Sequence, residues 1–212
     1  MITVIANLKG GSGKSTVTFN LAMWLKMKGE TVVAYDLDPQ QTLNDVAQVR
    51  MEDGTEPKLE VTKADDKDIR KSLNSHKCHV LVDVGAANMH AMKMAISTAD
   101  RVIIPVQPSQ PDVWATQRLL NIVNESCDEK NKPELVAFIN RADTHHSVTE
   151  SDEAEEALAS LGTVNVIPTR LCQRTNFRRA LSEGLSIFEL SGKSKSAEEF
   201  DKFAQALYPN LI

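Results

Sequence analysis

No run of apolar residues in this 212-residue chain approaches the ~18 that a membrane-crossing helix requires. The N-terminus also lacks a basic leader segment, and its first apolar run stops at Lys9, so a secretory signal is not expected. Cysteine is sparse: Cys78, Cys127 and Cys172 stand far apart with no C-x-x-C pair. They read as free thiols of a reducing cytosol rather than as a disulfide frame or a metal centre. Positive charge is in deficit as well. Lys and Arg number 24 against 29 Asp and Glu, a net charge of −5 that excludes a globally basic nucleic-acid binder and leaves only local patches. Repeats, low-complexity tracts and linkers are absent, so residues 1–212 are expected to form a single domain, soluble and cytoplasmic.

What the chain does contain is alternation. Short β-branched runs at 2–7, 31–36, 79–84, 101–106, 135–140 and 163–167 read as strands, with 58–62 a weaker candidate. Several are apolar on both parities, as strands covered on both faces are. Helical patterns fall between them near 14–28, 41–51, 66–75, 88–97, 112–127 and 149–161. Gly29 and Gly162 suit helix C-caps, and Ser147 with Glu150 resembles a capping box. Such alternation predicts an α/β fold with a doubly wound, mostly parallel sheet flanked by helices. Ligands of these sheets bind beyond the carboxyl ends of the strands. Six polar, turn-rich segments are therefore expected to converge there: 8–16, 36–40, 83–85, 105–112, 140–143 and 168–170.

The first of these reads NLKGGSGKST over 7–16. It departs from the strict phosphate-binding loop G-x-x-x-x-G-K-[ST], because Leu8 replaces the first glycine, and it carries a second lysine, Lys9. Gly10, Gly11, Ser12 and Gly13 can turn their N–H groups around a phosphate at the start of the following helix. Lys14 would reach the β- and γ-phosphates, Ser15 would hold Mg²⁺ by its hydroxyl, and Thr16 completes the loop. Asp83, late in an apolar strand, suits a carboxylate that holds the Mg²⁺ water shell. Of Asp36 and Asp38, at alternating positions after the second strand, one is expected to be structural and the other to face the phosphates. Asn140-Arg141-Ala142-Asp143 nearly matches the guanine-reading N-K-x-D, with arginine in place of lysine.

The segment Lys9–Ser15 followed by Asp36-Leu37-Asp38-Pro39-Gln40 resembles the deviant Walker P-loop ATPases of the ParA/MinD family, above all small plasmid-partition ParA proteins without an N-terminal DNA-binding domain. The likeness continues through VDVGA at 82–86, IIPVQPSQPDVWA at 103–115 and IPTRLCQRTNFRRALSEGLSIFEL at 167–190. It implies ATP and Mg²⁺ as ligands and a homodimer formed on ATP binding. In that dimer Lys9 would touch the partner's nucleotide, while Lys14 serves its own. It also implies that Asp38 positions the hydrolytic water beside the metal-side groups Ser15 and Asp83, and that Asn140 with the backbone near Pro168 contacts adenine. VDVGA departs from the commoner D-x-P-P or D-x-x-G form, which leaves open which backbone N–H of 84–87 senses the γ-phosphate.

Between Arg170 and Lys195 six basic residues face Glu183 and Glu189, a local balance of +4. A solvated basic face is one reading. The resemblance implies another, sequence-independent binding of nucleoid DNA by the dimer, with Arg178 and Arg179 the first candidates. It further implies a centromere-binding, ParB-like adaptor. In the tail, Phe200, Phe203, Ala204, Leu207 and Tyr208 share one helical face with a single flanking lysine, Lys202, so core packing is expected rather than a membrane contact. His145-His146 has no ligand-spaced companion and reads as an exposed loop. A metabolic enzyme on the same fold, resembling dethiobiotin synthetase, and a positioner of another cargo are the alternatives to plasmid partition.

Overall fold

The computed structural model describes residues 1–63, 68–145 and 149–211. Its elements run β1 (Ile2–Asn7), α1 (Lys14–Met27), β2 (Val32–Asp36), α2 (Thr42–Glu52), β3 (Val61–Thr62), α3 (Ile69–Asn74), β4 (His79–Gly85), α4 (Met89–Ile96) and β5 (Arg101–Val106). They continue with α5 (Gln110–Ser126), β6 (Glu134–Ala142), α6 (Glu150–Ser160), β7 (Asn165–Val166), β8 (Leu171–Cys172), α7 (Thr175–Ser182), α8 (Ile187–Ser191) and α9 (Lys195–Leu207).

The strands form one sheet in the order β3-β2-β4-β1-β5-β6-β7, with β8 pairing β6, and every pairing among the described residues is parallel. Strand periodicity divides the core between the two faces. Ile2, Val4 and Ala6 of β1 point with Val80, Val82 and Val84 of β4 toward α3–α6, whereas Ile5, Leu81, Ile103 and Phe138 point toward α1, α2 and α9. Both parities being apolar is the reason the runs carried little alternation. The adjacent strands β1 and β4 send their chains to opposite sides, through α1 to β2 and through α4 to β5. This reversal opens a crevice at the carboxyl edge, where the phosphate-loop candidate lies.

Gly29 at φ 85° and Gly162 at φ 68° follow the last turns of α1 and α6 in the left-handed conformation expected of C-terminal stops. The expected helix over 66–75 is Ile69–Asn74 among the described residues, and that over 112–127 starts earlier, at Gln110, capped by the Ser109 side chain with Pro111 in its first turn. The Ser147 half of the anticipated capping box lies outside the described residues, as does His146; His145 is exposed. Strands over 58–62 and 163–167 shrink to two residues each.

The tail behaves as core. Phe200, Phe203, Ala204, Leu207 and Tyr208 are all buried, Phe138 and Phe203 rings sit 4.3 Å apart, and the Trp24 indole donates to Asp201 at 2.8 Å. Each fully buried phenylalanine contributes roughly 1.5–3 kcal/mol, which fixes α9 over α1. No helix among the described residues is long and apolar enough to cross a membrane.

Candidate nucleotide-binding site

The loop after β1 is set by three polar contacts. Asn7, fully buried, donates from Nδ2 to the Pro105 carbonyl of β5 at 2.7 Å and accepts the Lys9 N–H at 2.8 Å. Gly13 stands at φ 89° as the N-cap of α1, a conformation that a side chain would strain, and a Cβ there would collide with Asn140 Nδ2. Asn140 closes the loop from the far side by donating to the Ser12 carbonyl at 2.7 Å. The first turn of α1 thus points its free N–H groups into the crevice.

A cleft of ≈ 280 Å³ follows this loop, lined by Leu8 to Gly11, Gly13 to Thr16, Asp38, Gln40, Thr42, Gly85 to Ala87 and Arg141. Lys9, Lys14, Ser15 and Asp38 therefore share one concavity, fed by the carboxyl ends of β1, β2, β4 and β6. A second cavity of ≈ 110 Å³ adjoins it through Gly13, Thr16 and Arg141, and runs between Asn140, Leu171 to Arg174, Phe177, Arg178 and Phe200. Four of the six expected segments meet at the phosphate cleft. Pro108 lies with Arg141 on a neighbouring cleft. Pro168 is exposed and lines neither main cavity; β8, two residues long and absent from the sequence reading, places Leu171 and Cys172 beside Asn140 instead.

Asp36, the last residue of β2, and Asp38, two residues on, take different positions. Asp36 is buried and accepts the N–H groups of Asp38 at 3.1 Å and Asn44 at 3.0 Å, so it ties the loop to the start of α2; burial above all raises its pKa. Asp38 is half-buried on the cleft, with Oδ1 accepting the Gln40 N–H at 3.0 Å. Its other oxygen lies against Gly85, where a Cβ would overlap Oδ2 and come within 3.5 Å of Lys14 Cε. Gly85 is thus required for close approach of β4 to the lysine and the carboxylate.

Asp83, fully buried on β4, has no hydrogen-bond partner on either carboxylate oxygen. Burial pushes its pKa up to about 7. The Ser15 hydroxyl, nearby but outside hydrogen-bonding geometry, and Lys14 oppose that shift, while Asp36 and Asp38 add to it. A buried carboxylate with both oxygens unpaired is costly unless a cation or its water shell completes it. The donor set of Asp83 and the Ser15 hydroxyl, all oxygen, fits Mg²⁺. Ser12 Oγ is likewise buried without a partner in the loop.

The basic segment looks different once folded. Arg170 pairs with Asp152 at 2.7 Å and Glu155 at 2.6 Å, Arg174 with Glu199 at 2.5 Å, and Arg179 with Glu183 at 2.9 Å. The +4 balance over 170–195 thus overstates the free charge, because α6 and α9 supply carboxylates from outside that window. Arg178 is exposed and lines the second cavity.

A glycine-bearing loop between the first strand and first helix, with an unpaired carboxylate on the adjacent strand, defines a P-loop nucleotide-binding protein. Residues 3–187 match the family model described as the CobQ/CobB/MinD/ParA nucleotide binding domain, and the chain belongs to that family, whose ParA and MinD members are ATPases. It is 27% identical over 210 residues to the Maintenance of carboxysome distribution protein A of Halothiobacillus neapolitanus, covering 97% of this chain and 95% of that one. It is also 27% identical over 223 residues to Protein ParA of Rhizobium radiobacter, covering 99% and 97%. Among solved structures, apo McdA of Cyanothece superposes with a TM-score of 0.80 at 22% identity, covering 97% of this chain and 98% of that one. MinD of Pyrococcus horikoshii complexed with Mg-ADP gives 0.77 at 19%, covering 98% and 95%. At these identities the likeness is one of fold.

Proposed function

We propose that this chain is a single-domain, ATP-switched partition protein that hydrolyses ATP to ADP and phosphate while segregating or positioning a cargo. The observation that carries the reading is the sharing of one cleft by Lys9, Lys14, Ser15 and Asp38. The loop N–H groups of residues 10–16 and the Lys14 ammonium bind the β- and γ-phosphates. Ser15 and Asp83 would hold Mg²⁺, with Asp38 beside them, and the ion would supply charge neutralisation for the phosphates. Asp38 orients the attacking water, whose oxygen bonds to the γ-phosphorus as the bridge to ADP breaks. The base occupies the second cavity, where Asn140 and the chain after Pro168 favour adenine over guanine. Lys9 crosses to the nucleotide of a second copy, so that two chains enclose two ATP molecules.

The ATP dimer binds nucleoid DNA without regard to sequence through α7, by Arg178 and Arg179. The exposed Arg179–Glu183 pair is weak enough to yield to a phosphate. A centromere-binding, ParB-like adaptor then stimulates hydrolysis and release of a plasmid. The alignment with the Rhizobium radiobacter ParA along nearly the whole of both chains supports that cargo. The similar alignment with the carboxysome distribution protein supports a second reading, in which the cargo is a protein body rather than DNA.

Filter binding on random-sequence duplex DNA tests the switch. Binding is expected with ATP and not with ADP, and it should weaken with salt. Replacing Arg178 and Arg179 with alanine should lower the log–log salt slope by roughly 0.9 for each phosphate no longer neutralised. ATP-bound protein with no DNA affinity at low salt would remove the nucleoid-tethered mechanism.

A further inference from the structure

Arg141 carries a feature that the nucleotide-binding roles above do not use. Among the described residues only Gln41 and Arg141 hold a positive φ without being glycine, 54° and 57°; Gln41 caps α2 between two residues that line the phosphate cleft, and Arg141 lines the cleft from the end of β6. Residues other than glycine or asparagine pay a steric penalty in this region, and such penalties gather at functional sites. At Arg141 the cause is visible. The β6–β8 register pairs Asn140 with Leu171 and Ala142 with Cys172, with a bulge between them. The bulge is held by Asn140 Nδ2 on the Ser12 carbonyl and by the Gln173 N–H on the Ala142 carbonyl at 2.9 Å. A bulge re-aims a side chain that regular alternation would send elsewhere.

The side chain so placed lines both the phosphate cleft and the adjoining cavity. It is exposed and, like Arg70, Arg118 and Arg178, makes no ion pair among the described residues, whereas Arg50, Arg101, Arg170, Arg174 and Arg179 each hold a carboxylate; of the four unpaired arginines it alone lines the phosphate cleft. A nucleotide with its terminal phosphates in the loop and its base beside Asn140 must pass its ribose and α-phosphate through the junction of the two cavities, which Arg141 lines together with Gly13 and Thr16.

We propose that Arg141 is a nucleotide-binding residue whose guanidinium holds the α-phosphate of a nucleoside di- or triphosphate, set in place by the left-handed bulge of β6. The inference rests on the nucleotide-site reading above and adds to it a cation separate from Lys9 and Lys14. An anion at the α-phosphate is common to ADP and ATP, so both ligands should feel its loss equally.

Backbone and charge can be separated because glycine is relaxed at φ 57°. Arg141→Gly should therefore keep or raise the melting temperature measured without nucleotide. Titration calorimetry with Mg²⁺ should show its dissociation constants for both ADP and ATP raised by about 10-fold or more, as expected when a charge-assisted hydrogen bond is removed. Arg141→Asn, which also tolerates this conformation, should reproduce the weakening, and Arg141→Lys should restore part of the affinity. The gap between wild type and Arg141→Gly should narrow as salt rises. Affinities within about two-fold of wild type in a stable Arg141→Gly protein would overturn the assignment, as would a weakening confined to ATP. A melting temperature lowered in both the glycine and asparagine variants would show a structural role instead. Wild type that binds neither nucleotide would overturn the underlying site reading as well.

Discussion

Asp36 and Asp83 stand opposite each other in the register of β2 and β4, both buried, at the carboxyl edge of the sheet. Asp36 is satisfied by two backbone N–H groups, while Asp83 keeps both oxygens free of partners. The pair is asymmetric: one carboxylate builds the loop and the other is buried without a partner.

The first prediction follows from that asymmetry. The pKa of Asp83 is about 7 when folded, against 3.8 for an ordinary aspartate. Between those values the native state binds the extra proton, so stability falls as pH rises through this window and levels off above it. Asp83→Asn should melt like wild type near pH 4 and exceed it by about 2–4 kcal/mol at pH 8 without nucleotide. Mg²⁺-ATP should remove or reverse that advantage. Thermal melts across pH 4–8 provide the check; a difference independent of pH would contradict the shift.

A second prediction concerns Gly85. A methyl group there would overlap Asp38 Oδ2 and crowd Lys14 Cε. Gly85→Ala should displace the Asp38 carboxylate, which we propose orients the water, while leaving the loop N–H groups in place. Turnover under saturating ATP should fall on the order of 10²-fold, with a much smaller change in ATP affinity. Equal losses in both would mean that the whole cradle had moved.

The third concerns stability away from the cleft. Arg50 is fully buried on α2, bonded to the Pro57 carbonyl at 2.8 Å, the Gly184 carbonyl at 3.0 Å and Glu189 at 2.6 and 3.0 Å. Burial raises the Glu189 pKa, but the bonds from Arg50 and Ser186 prevail and lower it overall. Gly184, at φ 62°, packs so tightly on α2 that a Cβ would meet the Arg50 nitrogen at 2.6 Å. Arg50→Ala should cost about 3–5 kcal/mol, because Glu189 and two carbonyls are left without their partner together. Chemical denaturation measures it directly; a change under about 1 kcal/mol would show that the strap between α2 and the α7–α8 turn is dispensable.

Much of this was legible beforehand because it rests on local patterns. The apolar runs of β1, β2, β4, β5 and β6, the glycine stops at Gly29 and Gly162, and the NLKGGSGKST loop all carry their signal within a few residues. The same holds for the α9 stripe. What sequence did not disclose depends on distant partners. β8 is two residues long and exists through its pairing with β6. α7 and α8 span 8 and 5 residues, too short for a clear period. The carboxylates that neutralise Arg170 and Arg174 come from α6 and α9, and no count within 170–195 could include them. The left-handed bulge at Arg141 likewise arises from β6–β8 register, since arginine itself carries no preference for it.

The proposed division of labour between Lys9 and Lys14 is tested most directly by paired variants. Calorimetry with ATP and Mg²⁺, followed by light scattering on the same samples, separates binding from association. Lys14→Ala should bind no ATP and remain monomeric. Lys9→Ala should keep appreciable ATP binding yet fail to form the ATP-dependent dimer or to respond to a stimulating partner. Equal loss of ATP binding in both variants would contradict the account, because Lys9 would then serve the same nucleotide as Lys14.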